Sequence, residues 1–266
     1  MKGLIVIPAY NCEKQIARVL SKLDNTLNNA FSVWDVLVID NRSTDSTLEM
    51  ALRKGAHTGT TRLMVARNVE NYGLGGSQKV GFTYALEHDY SHVVILHGDD
   101  QARPSDLLSW LSSTDLKGID AGLGSRFMKG STLTGYSVFR TLGNRVFNLL
   151  FSASLQRSVT DLGSGLNMYR TEIFRNGFHF KFADDLTFNY FMLLAHAYHR
   201  HNFAFFPVHW TEVDQVSNVK LASQTGSLAG ILLSYLRDSR AFMHQEHRKI
   251  ARTHYPTEIV YNGYLC

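Results

Sequence analysis

Cysteine is scarce in this chain. Its two cysteines, Cys12 and Cys266, stand near opposite ends of 266 residues with no ligand spacing between them. That excludes a disulfide framework and fits a reducing compartment. Long hydrophobic runs are absent too: nothing approaches the ~20 apolar residues that a membrane-crossing helix needs. The early apolar run, Leu4–Ile7, breaks at Pro8, too soon for a signal peptide, and reads as a first strand. A large charge excess is also missing. The 27 basic residues against 23 acidic ones leave only +4, which gives no argument for a nucleic-acid partner. No internal repeat, low-complexity tract or linker interrupts the chain. At 44% apolar residues it can build a full core, as one large α/β domain or two small ones.

What is present alternates. Leu4–Ile7, Val36–Ile39 and Leu63–Val65 are short apolar runs that predict buried strands. Ile16, Val19, Leu20, Leu23 and Leu27 recur at helical spacing between the first two. Ser46 with Glu49 suggests a capping box for a helix closed by Gly55. Further helices are expected from the Gly73 loop to His88, from Pro104 to Leu116, and over Phe139–Leu155 and Asp185–His199. A long one is expected over Leu228–Arg252, apolar early and basic late. Ala121–Phe127 reads as a short strand running into a loop, and further strands are expected at Gly165–Tyr169 and Phe203–Val208. The alternation implies a mostly parallel sheet with helices on both faces. Residues 1–215 read as the main domain and 216–266 as a helical appendage.

The stretch His92–Gln101 organises the rest. Five residues read as a strand buried on both faces, running into His97-Gly98-Asp99-Asp100-Gln101. Adjacent carboxylates raise each other's pKa unless positive charge sits between them, and hard divalent cations take oxygen ligands. A metal site and a plain strand-ending turn both fit. In such sheets ligands bind outside the carboxyl ends of the strands, where Asp40, the Gly73/Gly75/Gly76 loop and Asp99 would lie.

Other residues carry chemistry less sharply. Asp40 can accept hydrogen bonds from a base or ribose, or cap a turn; Asp45 reads as a cap. The glycine loop can offer amides to phosphate or simply turn tightly, and Lys79 reads as part of a solvated face. Arg126, Arg140 and Arg145 suit phosphate or surface ion pairs. Asp184 and Asp185 open a helix as dipole partners or supply a general base.

Taken in order, several motifs resemble those of family 2 glycosyltransferases of the GT-A fold, in the branch of dolichol-phosphate mannosyltransferases and undecaprenyl-phosphate sugar transferases. They are Ile7-Pro8-Ala9-Tyr10-Asn11-Cys12-Glu13, Val38-Ile39-Asp40 through Thr47, Asn71-Tyr72-Gly73-Leu74-Gly75-Gly76, His97–Gln101 with Pro104, Gly124-Ser125-Arg126-Phe127, and Asp161–Gly165. The resemblance covers about residues 3 to 210. It implies an inverting, metal-dependent transferase that takes a sugar from a UDP- or GDP-sugar to a polyprenyl phosphate or a glycan. The alternatives are a non-catalytic sugar-nucleotide-binding protein and a transferase acting on a soluble saccharide acceptor. Pro8, Tyr10 and Glu13 would line the nucleotide pocket with Gly75, Gly98 and Asp100, and Asp40 would hold base or ribose. Asp99 and Gln101 would hold Mn²⁺ or Mg²⁺, with His97 in place of the family's first Asp. Imidazole tilts such a site toward Mn²⁺; in the other reading His97 touches ribose and Asp100 compensates. Arg126 and Arg140 would meet phosphate, and Asp185 would serve as base for a hydroxyl acceptor. Many relatives continue into membrane-spanning helices. Here the Phe139–Leu155 helix and the tail would instead lie on the inner face of the cytoplasmic membrane, or the helix would pack in the core.

Overall fold

A computed structural model describes residues 2–27, 34–54, 61–214 and 221–264; Gly55 and Cys266 lie outside them. Strands and helices alternate from the start: β1 (Gly3–Ala9), α1 (Glu13–Leu27), β2 (Trp34–Asp40), α2 (Thr47–Arg53), β3 (Arg62–Asn68), α3 (Gly73–Glu87), β4 (His92–Leu96) and α4 (Pro104–Ser113). Then come β5 (Ala121–Ser125), β6 (Thr132–Thr134), α5 (Val138–Leu155), β7 (Leu166–Arg170), α6 (Phe188–Tyr198), β8 (Phe203–Pro207) and β9 (His209–Thr211). The chain closes with α7 (Leu221–Arg237), α8 (Ser239–His244) and β10 (Thr257–Tyr264).

The apolar runs fold as they do because both faces are covered. Along β1, Leu4 and Val6 join one apolar cluster, while Ile5 and Ile7 join another. β2 and β4 divide the same way, with Leu37, Ile39, Val93 and Ile95 on one side and Val36, Val38, Val94 and Leu96 on the other. A period of two puts these sets on opposite faces of the sheet. All five periodic residues of α1 cover one face; Val80 and Phe82 of α3 and Phe191 of α6 cover the other. The sheet order is β10-β3-β2-β1-β4-β7-β5-β8. Pairing is parallel except where β7 meets β4 and β5 and where β10 meets β3. The mostly parallel sheet with helices on both faces is thus as expected. β6 and β9 form a separate parallel pair.

Three expectations need correction. Ser46 makes no side-chain cap; Asp45 Oδ1 instead accepts from Thr47 N and Oγ1 at 2.9 and 2.6 Å, and Glu49 pairs with Arg53. The helix expected over Leu228–Arg252 stops at Arg237, because Asp238 leaves helical geometry and caps α8 through the Ala241 amide. The segment after residue 215 is also not helical throughout, since β10 returns to pair with β3. Among the described residues no helix is long and apolar enough to cross a membrane.

One core residue breaks the apolar pattern. His179 is fully buried against Phe82, Phe174 and Phe178, and neither ring nitrogen has a partner among the described residues. Burial, with Lys79 adding to it, lowers its pKa to about 3. Between that value and ~6.5, the ordinary value for His, the unfolded chain binds a proton that the folded chain does not. Stability therefore falls as pH drops through this window, by ~1.4 kcal/mol per pH unit for each such histidine. His179→Phe should stabilise the protein at pH 7 by ~1–2 kcal/mol, by removing unsatisfied polar atoms. It should also flatten the loss between pH 6 and pH 4, read by urea unfolding at each pH. An unchanged acid slope would contradict this assignment.

Candidate active site

The loop after β4 is fixed from beneath by backbone. His97 N donates to Gly165 O at 2.9 Å and Gly98 N to Pro8 O at 3.1 Å. Two glycines permit that approach. A Cβ on Gly165 would lie 2.9 Å from the His97 ring, and one on Gly98 would lie 3.2 Å from the Pro8 carbonyl oxygen. Asp100 then takes φ +61°, a left-handed conformation that Asp tolerates better than most residues. Asp99 and Gln101 line a cavity of about 580 Å³ together with His97. Asp100 instead binds α1, with Arg18 Nε at 2.8 Å and Lys22 Nζ at 2.6 Å. The loop thus sends one carboxylate into the cavity and neutralises the other outside it. Pro8, Gly98 and Asp100, expected in the nucleotide pocket, build the floor without lining it.

One wall of the cavity comes from the loops after β1 and β2, which are zipped together. Cys12 N donates to Thr47 Oγ1 at 2.7 Å, Glu13 N to Asp45 Oδ2 at 3.2 Å, and Ser46 N to Glu13 Oε2 at 3.1 Å. Tyr10, Glu13 and Asp45 face the cavity from this wall. Cys12 lines it as well, but burial pushes its thiol up to about 12, so it is a poor nucleophile.

The facing wall is basic and aromatic. Arg126 is held by Asp161, with Nε and Nη2 each at 2.8 Å from a carboxylate oxygen. Burial pulls the guanidinium pKa down, and Asp161 more than reverses it. Arg140 Nη1 reaches Glu212 Oε2 at 2.7 Å and lies over the Tyr136 ring. Both arginines line the cavity; Arg145 is exposed on α5.

Three expected site residues are employed elsewhere. Asp40 is fully buried outside the cavity, accepting from Ser43 N and lying 3.4 Å from Arg67 Nε. The Gly75 amide, expected to meet phosphate, donates to Asp184 O at 2.7 Å, as Gly76 N does at 3.2 Å. Asp185 does not line the cavity; its Oδ1 accepts from Thr187 N and Oγ1 at 2.9 and 2.6 Å. The cavity also holds residues that sequence reasoning passed over: Tyr136, Asn144, Leu186, Asn189, Trp210 and Glu212. Trp210 and Glu212 carried a signal, since they follow β8 at the sheet's ligand edge, as Asp99 follows β4.

The donor set fits a divalent cation in part. Among the described residues no three His, Cys, Asp or Glu side chains converge into a cage. Asp99, the Gln101 amide and His97 make a partial set, and His97 Nε2 is buried with no hydrogen-bond partner among the described residues. Burial pushes the Asp99 carboxyl above the ordinary range; His97 opposes this and Asp100 adds to it. Burial also holds the His97 imidazole below its usual value, against the pull of Asp99. One carboxylate with neutral donors fits a cation that takes its remaining ligands from water and substrate phosphates.

Comparison with known proteins gives the family and the fold. The family model for glycosyl transferase family 2 matches residues 4–178. Polyprenol monophosphomannose synthase of Mycolicibacterium smegmatis is 26% identical over 172 residues, 65% of this chain and 63% of that one. Undecaprenyl-phosphate 4-deoxy-4-formamido-L-arabinose transferase of Salmonella choleraesuis is 24% identical over 172 residues, 65% of this chain and 50% of that one. The chain therefore spans between half and two thirds of the length of these curated relatives. Mannosyl-3-phosphoglycerate synthase from Rubrobacter xylanophilus superposes with a TM-score of 0.60 at 13% identity, covering 100% of this chain and 89% of the other. Glucosyl-3-phosphoglycerate synthase from Mycobacterium tuberculosis, in complex with Mn²⁺, UDP and glucosyl-3-phosphoglycerate, gives 0.59 at 15% identity, covering 99% and 90%. At those identities the likeness shows the fold, which is GT-A.

The two ion pairs on the basic wall should differ in weight. Asp161→Ala leaves a buried guanidinium without its carboxylate and should cost ~3–5 kcal/mol in urea unfolding. Glu212→Gln, at a pair that reaches solvent, should cost less than ~1 kcal/mol. Equal losses would contradict the assignment.

Proposed function

The chain belongs to glycosyl transferase family 2, and on that premise we propose that it moves a sugar from a UDP- or GDP-sugar to a polyprenyl phosphate, inverting the anomeric carbon. One observation carries the reading. Asp99 stands on the cavity floor beside Gln101 and His97, between the Tyr10/Glu13 wall and the Arg126/Arg140 wall. The arrangement supports a diphosphate with oxygen donors under one side and guanidinium groups opposite. The relatives named for polyprenol and undecaprenyl-phosphate chemistry support the acceptor class.

The residues divide the work as follows. Tyr10, half-exposed at the rim, offers a ring to a base, and Glu13 offers a carboxylate to ribose. Asp99, Gln101 and His97 would hold a divalent cation, Mn²⁺ or Mg²⁺, which when bound would neutralise the diphosphate leaving group. Arg140 orients the acceptor phosphate from the far wall. A lipid phosphate is already an anion near neutral pH, so no strong base is required, and the engagement of Asp185 by Thr187 does not impede the reaction. Glu212 favours a second reading. It lies on the cavity wall, where it would accept the proton of a saccharide hydroxyl.

The membrane reading rests on α5. Arg140 and Asn144 face the cavity, while Val138, Phe139, Leu142 and Leu149 of the same helix are exposed, Phe139 at 74%. Exposed Leu186 lies at the cavity rim. An apolar strip leading out of the site suits a bilayer surface carrying the acceptor's hydrocarbon chain.

Two outcomes are expected. Asp99→Ala should abolish metal-dependent transfer to polyprenyl phosphate, while a UDP- or GDP-sugar at 100 times its Kd should stabilise the wild type by ~2.7 kcal/mol in a thermal-shift panel with Mn²⁺ and Mg²⁺. Full activity in excess chelator would overturn the metal role. In flotation with anionic liposomes, the wild type should rise with the vesicles and the double variant Leu142→Glu/Leu149→Glu should not. A wild type that never floats favours the saccharide acceptor.

A further inference from the structure

Lys79 is expected on a solvated face, yet its side chain is completely buried. Its ammonium donates to Phe182 O at 2.5 Å, to Asp184 Oδ1 at 2.7 Å and to Tyr255 OH at 3.2 Å. Tyr255 OH also donates to Asp184 Oδ1 at 2.7 Å, and Arg252 Nη1 lies 3.6 Å from Asp184 Oδ2. Arg252 is itself fixed, by Glu70 at 2.9 Å and over the Tyr72 ring. Tyr72 closes the circuit: its hydroxyl donates to Pro256 O at 2.9 Å, and its ring meets Tyr255 edge to face. Burial lowers the Lys79 pKa to about 8, with Asp184 opposing the shift.

None of these side chains lines the cavity. What they grip is the segment that does. The Asp184 carbonyl caps the first turn of α3 through Gly75 N and Gly76 N. Two to six residues on, Leu186, Asn189 and Tyr190 form part of the cavity surface next to Arg126 and Arg140. Asn189 is also tied to α3, accepting from Gln78 Nε2 at 3.2 Å. The clamp is thus completed by residues 252–256, well beyond the stretch matched by the family model.

We propose that Lys79, Arg252 and Tyr255 are positioning residues for the acceptor-side wall, so that the chain's last segment before β10 sets acceptor affinity without touching either substrate. This rests on the reading above, in which the nucleotide takes the Tyr10/Glu13 wall and the acceptor takes the arginine wall. The chemistry favours a clamp over simple packing. Three polar groups converge on the Asp184 carboxylate, and the backbone carbonyl of the same residue orders the neighbouring helix. A buried network in which every member is satisfied fixes a single arrangement.

Tyr255→Phe and Arg252→Ala, with Arg252→Lys as rescue, test it in the full-length chain. Hydrogen–deuterium exchange should rise about tenfold across residues 183–191 and at the first turn of α3 in the first two variants, and return toward wild type in the third. Calorimetric affinity for UDP and for GDP with Mn²⁺ should stay within about twofold. Acceptor KM should rise about tenfold, equivalent to ~1.4 kcal/mol, with donor KM and kcat nearly unchanged. Exchange that rises evenly over the whole chain, or nucleotide affinity that falls in step with acceptor affinity, would overturn the proposal and leave only a packing role. Wild-type protein that binds no nucleotide and transfers no sugar would refute the functional reading instead; the exchange arm would still show whether the clamp holds the wall.

Discussion

Two neighbouring carboxylates cannot share a small cavity without raising each other's pKa. The loop after β4 eases that conflict through backbone geometry, leaving Asp100 a small part in raising the Asp99 carboxyl. A left-handed Asp100 delivers its charge to Arg18 and Lys22 on α1, while Asp99 is delivered to the cavity. Everything else at the site presupposes this division. The amides of His97 and Gly98 hold the loop in register with β7 and β1, so the sheet itself sets the direction in which Asp99 points. The two glycines there permit the close approach of this loop to Pro8 and of Gly165 to the His97 ring.

The walls use charge differently. On the basic side, Asp161 neutralises Arg126 in a buried pair that fixes the guanidinium plane against Trp210 and Tyr136. Such a pair adds little net stability but strongly penalises the loss of either partner, which suits a group that must keep its place. Arg140 sits in a more exposed pair with Glu212 and can exchange that partner for phosphate at lower cost. The same helix then turns its apolar side outward, so one element links the charged cavity to a surface without a polar coat.

Much of the fold was legible because the sheet is buried on both faces. Val36–Ile39 and His92–Leu96 have no polar interruptions, and unbroken apolar runs between helical repeats admit few architectures. Asp99, Gln101, Tyr10, Glu13, Arg126 and Arg140 were legible as cavity residues from motif order and strand ends. Asp40, Gly75 and Asp185 do not line the cavity; a strand end or a helix start shows where a residue sits, not which partner claims it. Arg67 competes for Asp40, the Asp184 carbonyl for the Gly75 amide, and Thr187 for Asp185. The return of β10 and its pairing with β3 depend on contacts across more than a hundred residues. No local pattern encodes them, and Lys79 is buried for the same reason: its partners are Asp184 and Tyr255.

The division between Asp99 and Asp100 is tested most directly by electron paramagnetic resonance of Mn²⁺ titrated into the protein with saturating UDP or GDP. The wild type and Asp100→Asn should each bind one ion per chain, tightly only when nucleotide is present, and Asp99→Asn should lose that ion. Equal loss in both variants, or full retention in Asp99→Asn, would contradict the account.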